Sequence, residues 1–309
     1  MRDSVAPSVR PTSLVVVGTG LIGTSVALAA RRRGVPVTLL DTDPTAVAVA
    51  VARGAGRPVN PDDPPADLAV VAVPPDALPE ALRRAQERGL ARAYTDVTSV
   101  KASIVDAVRS VADPTTVVLG HPMAGRERSG PAAASAELFA GRTWALCPLD
   151  DTRPEALAVV RGLVELCGAR PVLLSPVAHD RAVALVSHVP RLVAGAMAAA
   201  LARASVADLQ LAGPGVRDVT RIAAADVGLW SQILAHNAAE VAAVAAAVAE
   251  DLRQVAMALA ADPPDLATVS ALLRAGQEGR AALDRAQNGG CEVGELVAIG
   301  EGGENRVRN

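Results

Sequence analysis

The stretch Leu14-Val15-Val16-Val17-Gly18-Thr19-Gly20-Leu21-Ile22-Gly23 determines how the first half of this chain can fold. An apolar run of strand length is followed by glycines in the pattern Gly-x-Gly-x-x-Gly and then by an alanine-rich helical segment ending near Arg33. The first glycine permits a tight turn, the second lets the backbone approach a pyrophosphate, and the third lets the helix pack on the strand. Unpaired N–H groups at the helix start can then bind the phosphates. The stretch predicts a dinucleotide site whose loop residues are Gly18, Gly20, Leu21, Ile22 and Gly23.

Asp41 indicates which dinucleotide the site prefers. It follows the second apolar run, Val37–Leu40, and lies 18 residues after Gly23. A carboxylate at this place accepts hydrogen bonds from ribose hydroxyls and repels a 2′-phosphate, which favours NAD over NADP. The neighbouring Asp43-Pro44 pair is typical of a helix N-cap and first residue, so we assign capping to Asp43 and cofactor binding to Asp41.

Short β-branched runs alternate with helical stretches from Ser13 to about Ser175. The predicted strands are Leu14–Val17, Val37–Leu40, Leu68–Val73, Ala93–Val97, Thr116–Leu119, Thr143–Leu146 and Val172–Leu174. The predicted helices are Leu21–Arg33, Pro44–Arg53, Leu78–Arg88, Val100–Val111 and Asp151–Cys167. Strands separated by helices predict an α/β domain over residues 13–175, with a largely parallel, doubly wound sheet of the Rossmann type. Val73 and Pro74, at the end of the third strand, are expected to contact the cofactor.

The pattern changes after Pro176. Residues 176–287 contain long Ala/Leu/Val stretches at helical spacing, interrupted at Gly213-Pro214-Gly215 and at Asp262-Pro263-Pro264. This predicts an all-helical second domain, whose alanine-rich faces favour association between subunits and hence a homodimer. We expect residues 1–12 and the glycine-rich tail, residues 288–309, to be disordered.

The composition excludes several classes of function. The 309 residues carry a net charge of −3, which argues against nucleic acid or an anionic membrane as a general partner. The apolar run Val241–Ala249 is too short to span a bilayer. Three cysteines without a Cys-x-x-Cys pair favour neither a disulfide framework nor a metal site, and they fit a reducing cytoplasm. Lys101 is the single lysine among 30 basic residues, which hints that arginine would not replace it.

Polar islands interrupt the apolar pattern at four places. The most informative begins at His121, after a predicted strand, and reads His121-Pro122-Met123-Ala124-Gly125-Arg126-Glu127-Arg128-Ser129-Gly130. The others are Asp96–Lys101, Ser187–Arg191 and Gly213–Ala223. Each has a purely structural alternative: a turn histidine, a Ser99 cap on the helix from Val100, a core histidine at 188, or an Arg221 ion pair with Asp218 or Asp226.

Taken together and in this order, the islands resemble the prephenate dehydrogenase family. The matching pieces are Ser99 within Thr98–Lys101, His-Pro-Met-Ala-Gly at 121–125, Ser-Pro at 175–176 with His179-Asp180, Ser187-His188, the segment Arg217–Ala223 and Trp230. The resemblance covers roughly residues 13–260. It implies a Rossmann domain, a helical dimerisation domain and an active site between them. It also implies NAD-dependent oxidative decarboxylation of prephenate to 4-hydroxyphenylpyruvate, a step of tyrosine synthesis.

The resemblance assigns roles to the polar residues. A neutral imidazole can accept the 4-hydroxyl proton of prephenate near neutral pH, and we give that role to His121. By resemblance, Ser99 hydrogen-bonds the same hydroxyl or His121. Arg221 clamps a substrate carboxylate, as a guanidinium does better than an ammonium. We expect His188, Arg217 and Arg191 to complete the substrate side.

Two departures from the family pattern leave the substrate open. Arg191 stands where the family often has the last histidine of Ser-His-Leu-Pro-His, and Pro214 stiffens the turn before the Thr-Arg-Ile-Ala segment. Arogenate or a 4-amino analogue of prephenate is therefore an alternative substrate. More distant alternatives are a 3-hydroxyacid dehydrogenase, an imine reductase and a non-catalytic NAD sensor. The hydroxyacid enzymes usually need a lysine in the helical domain, where this chain has none. We expect no appended regulatory domain.

Overall fold

The computed structural model describes residues 7–126, 128–224 and 226–288. Within them the first domain contains one sheet. Its strands are β1 Leu14–Val17, β2 Val37–Leu40, β3 Arg57–Pro58, β4 Ala66–Val71, β5 Ala91–Asp96, β6 Val117–Pro122, β7 Thr143–Pro148 and β8 Arg170–Leu173. The helices of this domain are α1 Leu21–Arg32, α2 Pro44–Ala52, α3 Leu78–Glu87, α4 Val105–Val111 and α5 Pro154–Leu166.

The strand order across the sheet is β3-β2-β1-β4-β5-β6-β7-β8. All neighbours are parallel except β6 and β7, which run antiparallel. The predicted α/β fold with a largely parallel, doubly wound sheet is confirmed. Strand β3 was not predicted, because two exposed residues, one of them proline, carry no alternating apolar signal.

The order of the strands reverses at β1. The chain first adds β2 and β3 on one side of β1 and then returns to place β4, parallel to β1, on its other side. In such sheets ligands bind in the crevice beyond the carboxyl ends of the strands at this reversal. Gly18 turns the chain there with φ +96°, and a Cβ on it would lie 2.2 Å from the carbonyl oxygen of Ala72, just after β4. Only glycine fits this turn without strain.

Both faces of the sheet are covered, so β1 is buried along its whole length. Leu14 and Val16 contribute to the apolar cluster on one face, together with α1 and α5. Val15 and Val17 belong to the cluster on the other face, together with α3 and α4. The side chains alternate between the two faces because successive residues of a strand point to opposite sides. Packing on both faces holds the carboxyl end of β1 in place.

The prediction of a disordered N-terminus is wrong for the residues that can be described there. The Val9 amide donates to the Ala158 carbonyl oxygen at 2.9 Å, which ties the segment to α5. Gly162 permits this approach, since a Cβ on it would come within 2.1 Å of the Val9 carbonyl oxygen. Residues 1–6 and 289–309 lie outside the described residues.

The second domain is helical, as predicted. Its helices are α6 Pro176–Val183, α7 Val189–Leu201, α8 Val206–Gln210, α9 Pro214–Thr220, α10 Val227–His236, α11 Ala238–Ala260 and α12 Leu266–Asn288. A widened π-helical turn, Ala184–His188, joins α6 to α7. The fully buried apolar cluster of this domain is small and centres on Ala184, Val189 and Val241.

By length and composition, the stretch Pro176–Leu201 is apolar enough to cross a membrane. The same stretch carries His179 and Asp180, which are buried and bonded to the first domain, so it serves as a packing helix of this fold. Apolar residues such as Leu192, Val193 and Met197 remain exposed on it. Exposed apolar faces of this kind mark surfaces for association.

Candidate active site

The glycine loop and the strand ends around it enclose a cavity of about 670 Å³. Its lining includes Gly18, Gly20, Asp41, Val73 and Pro74. A Cβ on Gly20 would project into open space, whereas one on Gly23 would lie 2.0 Å from the Gly18 carbonyl oxygen. Gly20 thus leaves room in front of the loop, and Gly23 lets helix pack on strand. Because no side chain caps α1, its first N–H groups are available to a ligand.

The carboxylate of Asp41 supports the glycine loop from the end of β2. It accepts hydrogen bonds from the Thr19 amide at 2.6 Å, from the Thr19 hydroxyl at 2.9 Å and from the Asp43 amide at 3.0 Å. Burial raises the pKa of Asp41, but the bonds from Asp43 and Thr19 outweigh burial and hold the pKa below 3.8. Asp43 caps α2 by accepting from the Thr45 amide, as predicted. These features fit an adenosine ribose beside Asp41.

A second cavity, of about 590 Å³, lies between the two domains. It shares Gly20, Ala72, Val73 and Pro74 with the first, so the two form one elongated crevice. Leu21, Ile22 and Ser99 line it from the first domain, and Arg191 and Arg221 line it from the second. Arg126 and Arg128 add two further guanidinium groups, whereas Asp226 is the single acidic lining residue in the described part of the chain. The charge of this cavity favours an anionic ligand.

His121 lies near the end of β6 and is only 7% exposed. Its Nδ1 is 2.9 Å from Nε2 of His179 in α6, and Nδ1 of His179 is 2.7 Å from Oδ1 of Asp180. Both oxygens of Asp180 accept backbone amides, Oδ1 from Lys101 and Oδ2 from Ala102, each at 2.8 Å. An uninterrupted row of hydrogen bonds therefore joins a loop of the first domain, α6 and His121.

Burial controls the titration of these imidazoles. Burial, and then the nearby His179, Lys101 and His188, hold the pKa of His121 well below 6.5. Burial also lowers the pKa of His179, against the opposing effect of the Asp180 carboxylate. Both rings are consequently neutral near pH 7, and a neutral ring has one nitrogen that donates and one that accepts.

Lys101 supports the loop that carries Ser99. Its ammonium group is fully buried and donates to Oδ2 of Asp96 at 2.6 Å and to the Thr98 carbonyl oxygen at 2.9 Å. Oδ1 of Asp96 accepts the Gly120 amide at 2.9 Å, beside His121. The helix expected from Val100 starts later, with a 3₁₀ turn at Ala102–Ile104 and then α4, so Ser99 caps no helix. Within the described residues Ser99 makes no hydrogen bond to His121, whose protein partner is His179.

His188 occupies the π-helical turn and is fully buried, behind the cavity wall. Its Nδ1 lies 3.2 Å from Nδ2 of Asn237, while its Nε2 has no partner in the described structure. The ring meets Trp230 edge to face at 5.9 Å between centroids, and burial lowers the pKa of His188 to about 4. An orphaned buried nitrogen is costly and frequently marks a functional position. A purely structural histidine of the core would explain the Nδ1 contact with Asn237 but not an Nε2 without a partner in the described structure.

Arg191 lies over Trp230, with its guanidinium carbon 4.0 Å from the ring centroid, and donates to the Ile222 carbonyl oxygen. This contact orients a cation at the cavity wall. Arg217 is exposed on α9 and is not among the residues that line the cavity, because a change to a 3₁₀ turn at Arg221 separates the two arginines. Pro214 is the first residue of α9. Glu127 lies outside the described residues.

The sequence did not assign roles to His179, Asp180 and Asn237. His179-Asp180 appeared only as a matching dipeptide, and nothing local indicates that its ring reaches His121, 58 residues away. The sequence feature that could have pointed to His179 is the rarity of histidine, because the chain contains only four.

The family comparisons agree with these two domains. The profile described as "Prephenate dehydrogenase, nucleotide-binding domain" matches residues 26–173. The profile described as "Prephenate dehydrogenase, dimerization domain" matches residues 175–271. Together the two profiles account for most of the chain.

Two curated relatives are similar over about three quarters of the chain. A probable prephenate dehydrogenase, NovF of Streptomyces niveus, is 45% identical over 231 residues, covering 74% of this chain and 63% of that protein. The cyclohexadienyl dehydrogenase of Zymomonas mobilis is 31% identical over 238 residues, covering 73% of this chain and 80% of that protein. The matched region thus spans less than two thirds of NovF.

Solved structures show the same architecture. Prephenate dehydrogenase from A. aeolicus, in complex with hydroxyphenyl propionate and NAD+, is similar with a TM-score of 0.77 and 25% identity, covering 91% of this chain and 100% of that one. Arogenate dehydrogenase from Synechocystis is similar with a TM-score of 0.70 and 26% identity, covering 89% of this chain and 99% of that one.

Proposed function

The chain belongs to the prephenate dehydrogenase family, and we propose that it catalyses the NAD-dependent oxidative decarboxylation of prephenate to 4-hydroxyphenylpyruvate. The observation that carries this proposal is the position of His121. Its buried neutral imidazole lies near the carboxyl end of β6, and the segment just after it, from Ala124 to Arg126, lines the cavity that Gly20 of the dinucleotide loop and the other arginines also line. That arrangement combines a proton acceptor, a hydride-acceptor site and an anion site.

The crevice suits NAD. Gly18, Gly20 and the start of α1 would hold the pyrophosphate, and Asp41 would accept hydrogen bonds from the adenosine ribose. Leu21, Ile22, Val73 and Pro74 would line the path towards the second cavity. When bound, NAD accepts the hydride that leaves the carbon bearing the substrate hydroxyl.

His121 accepts the proton of that hydroxyl. As the C–H bond gives up its hydride, the O–H bond breaks and a carbonyl forms, so a base at the oxygen stabilises the transition state. Loss of carbon dioxide then makes the ring aromatic and leaves a phenolate, which takes the proton back from His121 to give the phenol. Ser99, on the cavity wall, donates to the same oxygen and holds it in place. General-base assistance of this kind contributes typically about 10²–10⁴ in rate.

The arginines select the substrate by charge. Prephenate carries two carboxylates, and Arg221 and Arg191 can each bind one through paired N–H donors. His188 lies behind the cavity wall and contacts Trp230 edge to face, so in this proposal it supports the wall at the side-chain end of the substrate. Arg217 receives no role, because it lies outside the cavity.

Arogenate is the second candidate substrate, and Asp226 is the observation that favours it. Arogenate carries an ammonium group in place of the keto group of prephenate, and Asp226 is a carboxylate on the wall of the same cavity. The Asp226 carboxylate already accepts the Leu229 amide at 2.7 Å as the cap of α10, and four arginines outnumber it. The charge balance therefore favours the keto acid.

We also propose that the protein is a cytoplasmic homodimer. The exposed apolar residues of α7, including Leu192, Val193 and Met197, would be covered by the second subunit. Measurement of the molecular mass in solution tests this: a monomer at micromolar concentration contradicts it.

The decisive experiment measures NADH formation with prephenate, arogenate and 4-amino-4-deoxyprephenate side by side, at equal concentrations. We expect the highest kcat/KM with prephenate. A preference for arogenate would transfer the assignment to the second candidate, and a preference for the amino analogue would identify an aminated substrate. If none of the three supports NADH formation, the proposed function is wrong.

A further inference from the structure

The hydrogen bonds that join Asp180, His179 and His121 form a row in which each donor and each acceptor can be assigned, starting from Asp180. A carboxylate can only accept hydrogen bonds, and both oxygens of Asp180 already accept backbone amides from Lys101 and Ala102. The contact between Asp180 and His179 Nδ1, at 2.7 Å, therefore requires a hydrogen on Nδ1. The opposite assignment would place the lone pairs of nitrogen and oxygen against each other in a fully buried site.

The assignment of His179 then determines which nitrogen of His121 donates. With its hydrogen on Nδ1, the neutral ring of His179 has a lone pair on Nε2, and this atom lies 2.9 Å from Nδ1 of His121. Nδ1 of His121 must donate, so its hydrogen is on Nδ1 and its Nε2 carries the free lone pair. Which nitrogen of a histidine is protonated is set by the bond that the other nitrogen makes.

We propose that Asp180 and His179 are positioning residues that hold His121 in the Nδ1–H tautomer, so that Nε2 is the atom that takes the substrate proton. The inference rests on the proposed function only for the last step. When the substrate O–H bond breaks, an N–H bond forms at Nε2 of His121, and the ring becomes an imidazolium that still donates through Nδ1 to His179. When carbon dioxide leaves, the oxygen becomes a phenolate, and the imidazolium returns the proton to it from Nε2, so that the phenol forms and the neutral Nδ1–H ring is restored.

The row also links the two domains. His121 belongs to β6, His179 and Asp180 belong to α6, and the amides that hold Asp180 belong to the loop after β5. Nδ2 of Asn237 donates to the Asp180 carbonyl oxygen at 2.8 Å and anchors α6 at the corner between α10 and α11. The helical domain thereby determines the tautomer of a base that the Rossmann domain carries.

The other charged or titratable groups near the row do not set the tautomer of His121, because none of those that the structure describes bonds His179 or His121. Lys101 is held by Asp96, and its charge acts on both imidazoles without a hydrogen bond to either. His188 acts on His121 through space and bonds Asn237 instead. Asp180 is the group that bonds the row directly at its far end.

The test compares two substitutions at one position. In His179→Gln the amide NH₂ can donate to Asp180, and the amide oxygen then accepts from Nδ1–H of His121, so the tautomer is retained. In His179→Leu no acceptor remains, and the hydrogen moves to Nε2. We expect kcat with the wild type's best substrate to fall by less than about 10-fold in the glutamine variant and by about 10²-fold or more in the leucine variant.

The pH profile separates tautomer control from a simple effect of charge. If His179 acted only by changing the pKa of His121, the leucine variant would regain full activity between pH 8 and 9, where the ring is neutral in any case. Tautomer control predicts that the loss persists throughout this range. His236→Leu is the matched control, because the His236 ring bonds Ser103 and Asp76 and no member of the row, and it should keep kcat within about 3-fold.

Nitrogen-15 NMR of histidine-labelled protein reads the tautomer without any reaction. With only four histidines, the signals can be assigned by substitution. A protonated Nδ1 and a free Nε2 on His121 in the wild type and the glutamine variant, with the reverse in the leucine variant, support the inference. An Nε2–H tautomer in the wild type, or equal activities of the two variants, overturns it. If the wild type oxidises none of the substrates, the proposed function fails, and the NMR result alone decides the tautomer.

Discussion

Replacing Lys101 by methionine should destabilise the first domain, because it leaves a buried carboxylate without its cation. Methionine keeps the length of the aliphatic stem but removes the ammonium group that bonds Asp96 at 2.6 Å and Thr98 at 2.9 Å. The Lys101 side chain is 0% exposed and that of Asp96 2%, so water cannot compensate the lost partner. Removing one member of a buried pair costs about 3–5 kcal/mol.

Asp96 keeps other donors, and these reduce the expected cost. Its oxygens still accept the amides of Thr98 at 2.8 Å and Gly120 at 2.9 Å, as well as the Thr98 hydroxyl at 2.5 Å. We therefore expect the lower end of the range, about 3 kcal/mol in the free energy of unfolding, which corresponds to roughly a 150-fold change in the equilibrium constant. For a unit of this size, the midpoint of thermal unfolding should fall by about 6–12 °C.

Urea unfolding followed by circular dichroism at 222 nm measures the effect. The double variant Asp96→Asn/Lys101→Met should be more stable than Lys101→Met alone, because the remaining group is no longer an unpaired charge. Arg92→Met is the matched surface control: Arg92 pairs with Asp67 but is 73% exposed, so the loss should stay below about 1 kcal/mol. A change under 1 kcal/mol for Lys101→Met, or a double variant less stable than the single one, would refute the reasoning.

Four further predictions concern the site. His121→Asn should lower kcat with prephenate by roughly 10²-fold and leave the Kd for NAD unchanged; unchanged turnover would remove His121 from the mechanism. Arg221→Ala should raise the KM for prephenate by about 10–150-fold, as expected for a lost charge-assisted hydrogen bond, and a weakened affinity for NAD instead would contradict the assignment. Gly23→Ala should weaken NAD binding at least about 10-fold and cost about 1–3 kcal/mol of stability, because its Cβ would lie 2.0 Å from the Gly18 carbonyl oxygen, whereas Gly276→Ala in α12, with open space at its Cβ, serves as the neutral control. Since burial holds the pKa of His121 well below 6.5 and its neutral form is the active one, kcat/KM should stay level down to pH 6.5 and decline only below it; a decline centred above pH 6.5 would disagree.

The parts of the fold that follow from local patterns could be predicted from the sequence. Strands β1 and β2 begin and end at the predicted residues, because each is a short β-branched or apolar run bounded by turn-forming residues, Ser13 and Gly18 for β1 and Pro36 and Asp41 for β2. The later strands deviate by up to three residues at their ends, where polar residues such as His121 continue the pairing. Nothing in the sequence of β6 or β7 indicates that these two strands pair in antiparallel orientation.

Several residues predicted for the site line the crevice, but Arg217 does not, and the contacts within the site could not be predicted. Gly18, Asp41 and Ser99 line the crevice because they follow strands whose carboxyl ends lie near the reversal of strand order, whereas Arg221 lines it from the helical domain. The bond from His121 to His179 joins two domains, and the π-helical turn that buries His188 depends on packing against Asn237. Contacts of this kind arise from tertiary structure, which spacing along one chain does not encode.

The stacking of Arg191 on Trp230 has an optical consequence. The chain contains two tryptophans, one tyrosine and one phenylalanine, so its ultraviolet emission comes almost entirely from two indoles. Trp144 is fully buried beside Phe139 in the first domain, and Trp230 lies at the wall of the interdomain cavity under a guanidinium group. A carboxylate that draws Arg191 away changes the surroundings of one indole and leaves the other untouched. Occupancy of the cavity can therefore be read as fluorescence from Trp230, with no attached dye.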